Sequence, residues 1–404
     1  MRILFVLDRV ENPASANAQL ACRLAEELLQ QGHTVHLLEL WDGETPPPAP
    51  PAGASQHTLP FADERLMNRA LENGAKTGSP VPLRLLRLAA HPTAVAAAFR
   101  QLVLHNPRRT VDSRRKIERL DAEFHFDAVC AVCAPYRTAF ALETAQISGK
   151  KLLWQLDPYA SNKDYTAPGG YTREGQLLQA IDTAFITPQA LPDYEGGPLS
   201  AWRNKVQVLG FPVLLPGGPV PPHTGLRCVF CGSLYPTLRE PDFALKLFTA
   251  LNAPDLTLTM AGRGWEPFEA AAQKAQAVLG ARFKRPGLLP PAEAAALEAG
   301  ADILLSLGNA FDNQMPSKLF SYLGTGKPLL HLAVTDTDPT LPYLARYPLA
   351  LVLHEKDGAA PEVIAALRRW LTDVQGKQLP YAQVAALYPE FTPGVVAQTF
   401  ISQI

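Results

Sequence analysis

The chain opens on a short apolar run, residues 2–7, that breaks at Asp8-Arg9 and predicts a first strand. After a polar loop, Leu20, Leu24 and Leu28 recur four apart, which places them on one face of a helix. Gly32 then offers a C-terminal cap, and residues 33–38 predict a second strand, so the chain begins as a βαβ unit. It carries no G-x-G-x-x-G there and gives no warrant for NAD or FAD. A proline-rich loop at 45–53 leads to a region of helices that runs to residue 124. Further apolar runs predict strands at 126–133, 151–156, 183–187 and 205–209.

Prolines and glycines crowd residues 210–225 and mark a linker. Beyond it one pattern repeats four times. Strands predicted at 227–231, 256–261, 282–285 and 302–307 each lead, through a short loop, to a proline: Pro241, Pro267, Pro291 and Pro316. Proline suits the first helical position, whose N–H has no intrahelical partner. Four helix N-termini should therefore gather at the carboxyl edge of one parallel sheet, the edge where doubly wound sheets bind ligands and where free amides favour anions. The expected domains are 1–210, joined by a terminal helix at about 388–404, and 211–387.

Length and composition fit this division. A chain of 404 residues with 47% apolar and 19% charged positions can bury two α/β cores. The net charge of −1 gives no overall field to recruit nucleic acid. No apolar stretch reaches the ~18 residues of a membrane span, and the first residues lack a cleavage site, so a cytoplasmic protein is expected. Cys130/Cys133 and Cys228/Cys231 have C-x-x-C spacing, but each pair sits in an apolar run. Residues three apart in a strand face opposite sides, so packing rather than a metal is expected.

The candidate chemistry lies in the second half. Residues 308–330 read as strand end, polar loop, helix, glycine cap and strand. Ser317 and Lys318 fall in the first helical turn, where amides, hydroxyl and ammonium can meet one phosphate; the helix dipole disfavours a cation there unless an anion binds. Gly232 ends a strand, and Arg239 stands just before the helix at Pro241, either facing an anion or pairing with Glu240. Gly262-Arg263-Gly264 forms a turn that needs no ligand, although Arg263 could face one. In the first half, Asp157 follows a strand and either binds sugar hydroxyls or caps a turn; Ser15 and Asn17 either bind an acceptor or cap the first helix. Eight arginines and Lys116 between positions 84 and 119 read as a solvated helix face or as a basic surface for anionic lipid.

These residues carry a resemblance. The second half resembles the nucleotide-sugar domain of GT-B glycosyltransferases, in particular the group-1, family-4-like enzymes of polysaccharide assembly. The likeness covers most of 226–335: Gly232 with Arg239, the turn Gly262-Arg263-Gly264, and the run Asn313-Gln314-Met315-Pro316-Ser317-Lys318 through Tyr322 to Gly326-Lys327-Pro328. It implies two Rossmann-like domains facing a cleft, with a C-terminal helix crossing back to the first. It further implies transfer from a nucleoside diphosphate sugar to a glycan or lipid-linked acceptor, without a metal or other cofactor and with retention of configuration. Arg239 and Lys318 would stabilise the leaving diphosphate. The chain departs from the family at Ser233, where a basic residue often follows the strand-end glycine and for which Arg263 could compensate, at Ser321, where a glutamate usually holds the donor ribose, and at Ala134-Pro135-Tyr136-Arg137, where many relatives carry a histidine. Ser321 and the missing histidine suit a second reading, a catalytically silent binding or scaffold protein. An epimerase fits poorly, because the first half shows no acid/base cluster.

Overall fold

The computed structural model describes residues 1–10, 15–43, 47–62, 107–162, 167–310 and 316–404, together with isolated positions between 92 and 99. Two compact units emerge: Met1–Pro212 with Pro393–Ile404, and Val213–Thr392.

In the first unit the described elements run β1 (Arg2–Asp8), α1 (Ala16–Gln30), β2 (Thr34–Trp41), β3 (Ser55–Pro60), α2 (Pro107–Phe124), β4 (Ala128–Cys133), α3 (Arg137–Thr144), β5 (Lys150–Gln155), α4 (Gly170–Ala180), β6 (Thr183–Ile186), α5 (Leu191–Tyr194) and β7 (Val206–Val208). The strands form a sheet of order β3-β2-β1-β4-β5-β6-β7, parallel throughout. Covered on both faces, such a sheet selects continuous apolar strands; every residue of β4 is buried. Leu20, Leu24 and Leu28 are buried as their spacing predicts. β3 is an edge strand absent from the sequence reading, because SQHTLP lacks an apolar run.

The second unit runs β8 (Leu226–Cys231), α6 (Asp242–Leu251), β9 (Leu256–Ala261), α7 (Glu269–Leu279), β10 (Phe283–Gly287), α8 (Pro291–Ala299), β11 (Ile303–Leu307), α9 (Ser317–Gly324), β12 (Leu329–Ala333), α10 (Leu341–Leu344), β13 (Ala350–His354), α11 (Pro361–Val374) and α12 (Tyr381–Leu387). Its sheet, β10-β9-β8-β11-β12-β13, is again wholly parallel. Its core joins Phe230, Leu258 and Met260 of the sheet to Phe243, Leu247, Ala275 and Leu367 of the helices. Pro291 occupies the first turn of its helix, whereas Pro241 and Pro316 stand one place earlier as caps and Pro267 is the second residue of a short 3-10 turn before α7. All four helix starts follow the carboxyl ends of their strands.

The terminal helix α13 is Pro393–Ile401. It begins later than the expected 388, because residues before it pack within the second unit: the Phe391 ring stacks on Phe320 at 3.5 Å and the Tyr388 hydroxyl donates to the Tyr343 carbonyl. Phe400 then lies fully buried against Phe5 and Phe185 of the first sheet.

Candidate active site

Loops from four neighbouring strands interlock at the carboxyl edge of the second sheet. Gly232 N–H donates to the Ala261 carbonyl, Leu234 N–H to Arg263, Gly262 N–H to Gly287 and Ala310 N–H to Leu238, all at 2.8–2.9 Å. Gly262 has φ +144, and a β-carbon there would meet the Gly232 carbonyl oxygen at 1.7 Å. The close approach of the loops after β8 and β9 thus demands glycine, whatever binds above them.

Arg239 ends a tight turn in which its N–H donates to the Tyr235 carbonyl at 2.9 Å. Its guanidinium is partly buried and donates through Nε (3.1 Å) and Nη2 (2.7 Å) to one atom, Oδ1 of the buried Asn309. Burial lowers the Arg239 pKa. Among the described residues no carboxylate pairs with it, so the Glu240 partnership open in the sequence is not made; Glu240 instead accepts from Thr237 N–H. A guanidinium withdrawn from water against a neutral amide is incompletely compensated, which makes it receptive to an anion. Arg263 lies one loop away, with Nε 3.3 Å from Ser233 Oγ.

Lys318 is the second residue of α9, and Pro316 precedes the helix without a side-chain cap among the described residues. Its charge already has a partner: Nζ lies 2.6 Å from Oε1 of Glu298, in the last turn of α8. A lysine at a helix start calls for an anionic partner, and Glu298 supplies part of that need. Ser317 and Ser321 share the same helix. Asn313 and Gln314 lie outside the described residues.

Beneath the loop after β11 sits a buried polar cluster. His331 Nδ1 is 3.0 Å from Ser306 Oγ, and its Nε2 is 2.9 Å from Asp338 Oδ2. Thr340 gives Asp338 a hydroxyl (2.6 Å) and an N–H (2.8 Å). Asp338 also abuts Gly308, one residue before Asn309, so the cluster supports the loop that holds Arg239. A cavity of about 620 Å³ opens on another part of this unit, lined by Arg227, Thr257, Lys284 and Glu293 and by none of these site residues.

In the first unit, Ser15 caps α1 by accepting from Ala18 N–H at 3.3 Å. Asn17 Nδ2 donates to the Ala134 carbonyl (3.1 Å) and to Asp157 Oδ2 (3.3 Å), which brings Asn17 and Asp157 together at the carboxyl edge of the first sheet. The Tyr136 hydroxyl fixes the Asp157 carbonyl at 2.7 Å and receives Gln155 Nε2. Gln155 and Tyr194 in turn bond the buried Glu174, whose carboxyl is raised by burial. Of the basic stretch, the described part lies on α2, where Arg109 is buried beside Asp8 at 3.5 Å and Arg114 and Arg115 approach Glu118 and Asp112 at 4.0 and 3.9 Å. The strand cysteines are free buried thiols. Among the described residues no cluster of His, Cys, Asp or Glu is arranged for a metal, and no helix is long and apolar enough to cross a membrane.

No protein-family model and no curated protein matches the chain. Solved structures do. The chain resembles sucrose-phosphate synthase (tll1590) from Thermosynechococcus elongatus at 14% identity and TM-score 0.61, over 99% of this chain and 98% of that one. It resembles Anabaena Alr3699/HepE, solved with UDP and glucose, at 13% identity and TM-score 0.58, over 100% and 98%. It also resembles the lipopolysaccharide outer core galactosyltransferase WaaB at 12% identity and TM-score 0.56, over 100% and 99%. The chain has the GT-B fold. Within this GT-B chain, sequence reasoning missed Asn309 and Glu298. Asn309 follows a strand-end glycine, a signal the sequence does carry; Glu298 closes an alanine-rich helix and reads as an ordinary surface residue.

Proposed function

We propose that the chain is a glycosyltransferase whose donor is a nucleoside diphosphate sugar, with the diphosphate held between Arg239, Lys318 and the first amides of α9. The observation that carries this reading is the partly buried Arg239 guanidinium, which among the described residues donates to the neutral Asn309 and pairs with no carboxylate. Asn17 and Asp157, bonded to each other at the carboxyl edge of the first sheet, are the proposed acceptor-binding residues. In the transfer, the bond between the anomeric carbon and the diphosphate oxygen breaks and its electron pair leaves with the diphosphate. An acceptor hydroxyl oxygen bonds to the same carbon, and its proton passes to the departing diphosphate. Fixed donors aimed at the departing oxygens stabilise the charge that grows there. Metal independence, retention of configuration and a glycan or lipid-linked acceptor belong to the same proposal.

The test is release of nucleoside diphosphate from a panel of nucleotide sugars, with and without glycan acceptors. We expect turnover with one base, reduced at least tenfold in Arg239→Ala. Turnover of no donor, despite tight binding of one, would instead support a silent binding subunit, the reading that Ser321 favours.

A further inference from the structure

Glu298 meets the proposed diphosphate site through Lys318, whose Nζ lies 2.6 Å from its Oε1, and it is held there firmly. Its Oε1 accepts from the buried Tyr322 hydroxyl at 3.2 Å. That hydroxyl is itself fixed by Cys231 N–H, which donates to it at 3.2 Å. The end of α8 is anchored too: Lys327 Nζ, nearly inaccessible to solvent, donates to the carbonyls of Glu298 (2.8 Å) and Ala299 (2.6 Å). The side chain of Glu298 is 20% exposed, whereas that of Lys318 is 47% exposed on a flexible stem. Of the two members of the ion pair, the carboxylate is the fixed one and the ammonium is the arm that can move.

We infer that Glu298 is a specificity determinant that competes with the ligand's phosphates for Lys318 and so weakens the site for the more highly charged anion. The inference rests on the donor site proposed above. A nucleoside diphosphate has a terminal phosphate whose second ionisation lies near pH 6, so at neutral pH it carries about one more negative charge than the sugar-linked donor. A fixed carboxylate beside the site repels that extra charge, and it reclaims Lys318 when the product leaves. The pair therefore favours the donor over the spent nucleotide, which bears on product release.

Calorimetric titration of the full chain and its Glu298→Gln, Lys318→Ala, Glu298→Gln/Lys318→Ala and Arg239→Ala variants tests this, with UDP, GDP and ADP and their glucose conjugates as probes. Glutamine keeps a carbonyl acceptor for Tyr322, and thermal melts establish that each variant is folded. Glu298→Gln should tighten nucleoside diphosphate binding roughly tenfold, about 1.4 kcal/mol, and the glucose conjugate by less. On the Lys318→Ala background the gain should shrink to about threefold or below, because the competition is for that ammonium. If Lys318→Ala weakens the nucleotide but Glu298→Gln does not tighten it, the role of Glu298 is refuted while the donor site stands. If no probe binds, or neither Lys318→Ala nor Arg239→Ala alters binding, the donor site and the inference fall together.

Discussion

Replacing His331 by phenylalanine isolates what the buried cluster beneath Asn309 contributes. The ring fits a similar space, but Asp338 loses its partner at 2.9 Å and Ser306 loses its own at 3.0 Å. Asp338 has only about 1% of its side chain exposed, so water cannot replace the imidazole. Breaking a buried pair by removing one member costs about 3–5 kcal/mol. The two bonds from Thr340 remain and place the expected loss near the lower end, about 3 kcal/mol. For a unit of this size each kcal/mol shifts the melting temperature by about 2–4 °C, so calorimetry should show a fall of about 6–12 °C. The acid limb should move as well. Burial alone would raise the Asp338 carboxyl, but bonds from His331 and Thr340 outweigh it and hold it below the usual carboxylate value. Its contribution is thus present above the unfolded carboxyl pKa and lost as pH falls through the lower folded one. In His331→Phe part of that offset is gone, the folded carboxyl value moves up toward the unfolded one, and the share of stability that Asp338 loses in acid should shrink. Pairing His331→Phe with Asp338→Leu removes the stranded carboxylate and should recover part of the stability. A single variant within about 1 kcal/mol of the parent, or a double variant no better than the single, refutes the reasoning.

Gly262→Ala should cost about 4 kcal/mol or more because its β-carbon meets the Gly232 carbonyl, while Gly196→Ala, with open space around it, should cost only about 1–2; denaturant melts separate the two. Phe400→Ala should destabilise the first unit by about 3–5 kcal/mol through loss of its packing on Phe5 and Phe185, measured by urea unfolding. Burial lowers Lys327 to about 8, so the unfolded chain binds more protons between there and the ordinary lysine value. Stability should rise with pH across that window, and Lys327→Met should remove the rise. The basic stretch at 84–119 predicts cosedimentation with anionic vesicles that fades as salt shortens the Debye length below ~10 Å; equal binding to neutral vesicles at low salt excludes it.

The parallel architecture was legible where periodicity is strong. The buried strands and the stripe of Leu20, Leu24 and Leu28 declare themselves because burial on both faces demands apolar runs. β3 did not, since an edge strand with polar side chains leaves no period to read. Among site residues, Arg239 was visible from its place before a helix, and its fate turned on Asn309, 70 residues away in sequence. The sequence could not reveal that Lys318 meets Glu298, because only the packing of α8 beside α9 brings them together. Gly262 was readable as a turn, but its necessity comes from a neighbouring loop that no local pattern encodes.

The claim at the centre of this account is that Arg239 awaits the phosphates of a nucleotide. Titrating the parent and Arg239→Gln with UDP, GDP and ADP, and with the corresponding nucleosides, tests it most directly. A charge-assisted hydrogen bond contributes about 1.5–3 kcal/mol, so the diphosphate that binds the parent should bind Arg239→Gln about one to two decades more weakly. The matching nucleoside should be nearly indifferent to the change. Equal diphosphate affinity in a folded Arg239→Gln protein would contradict the account.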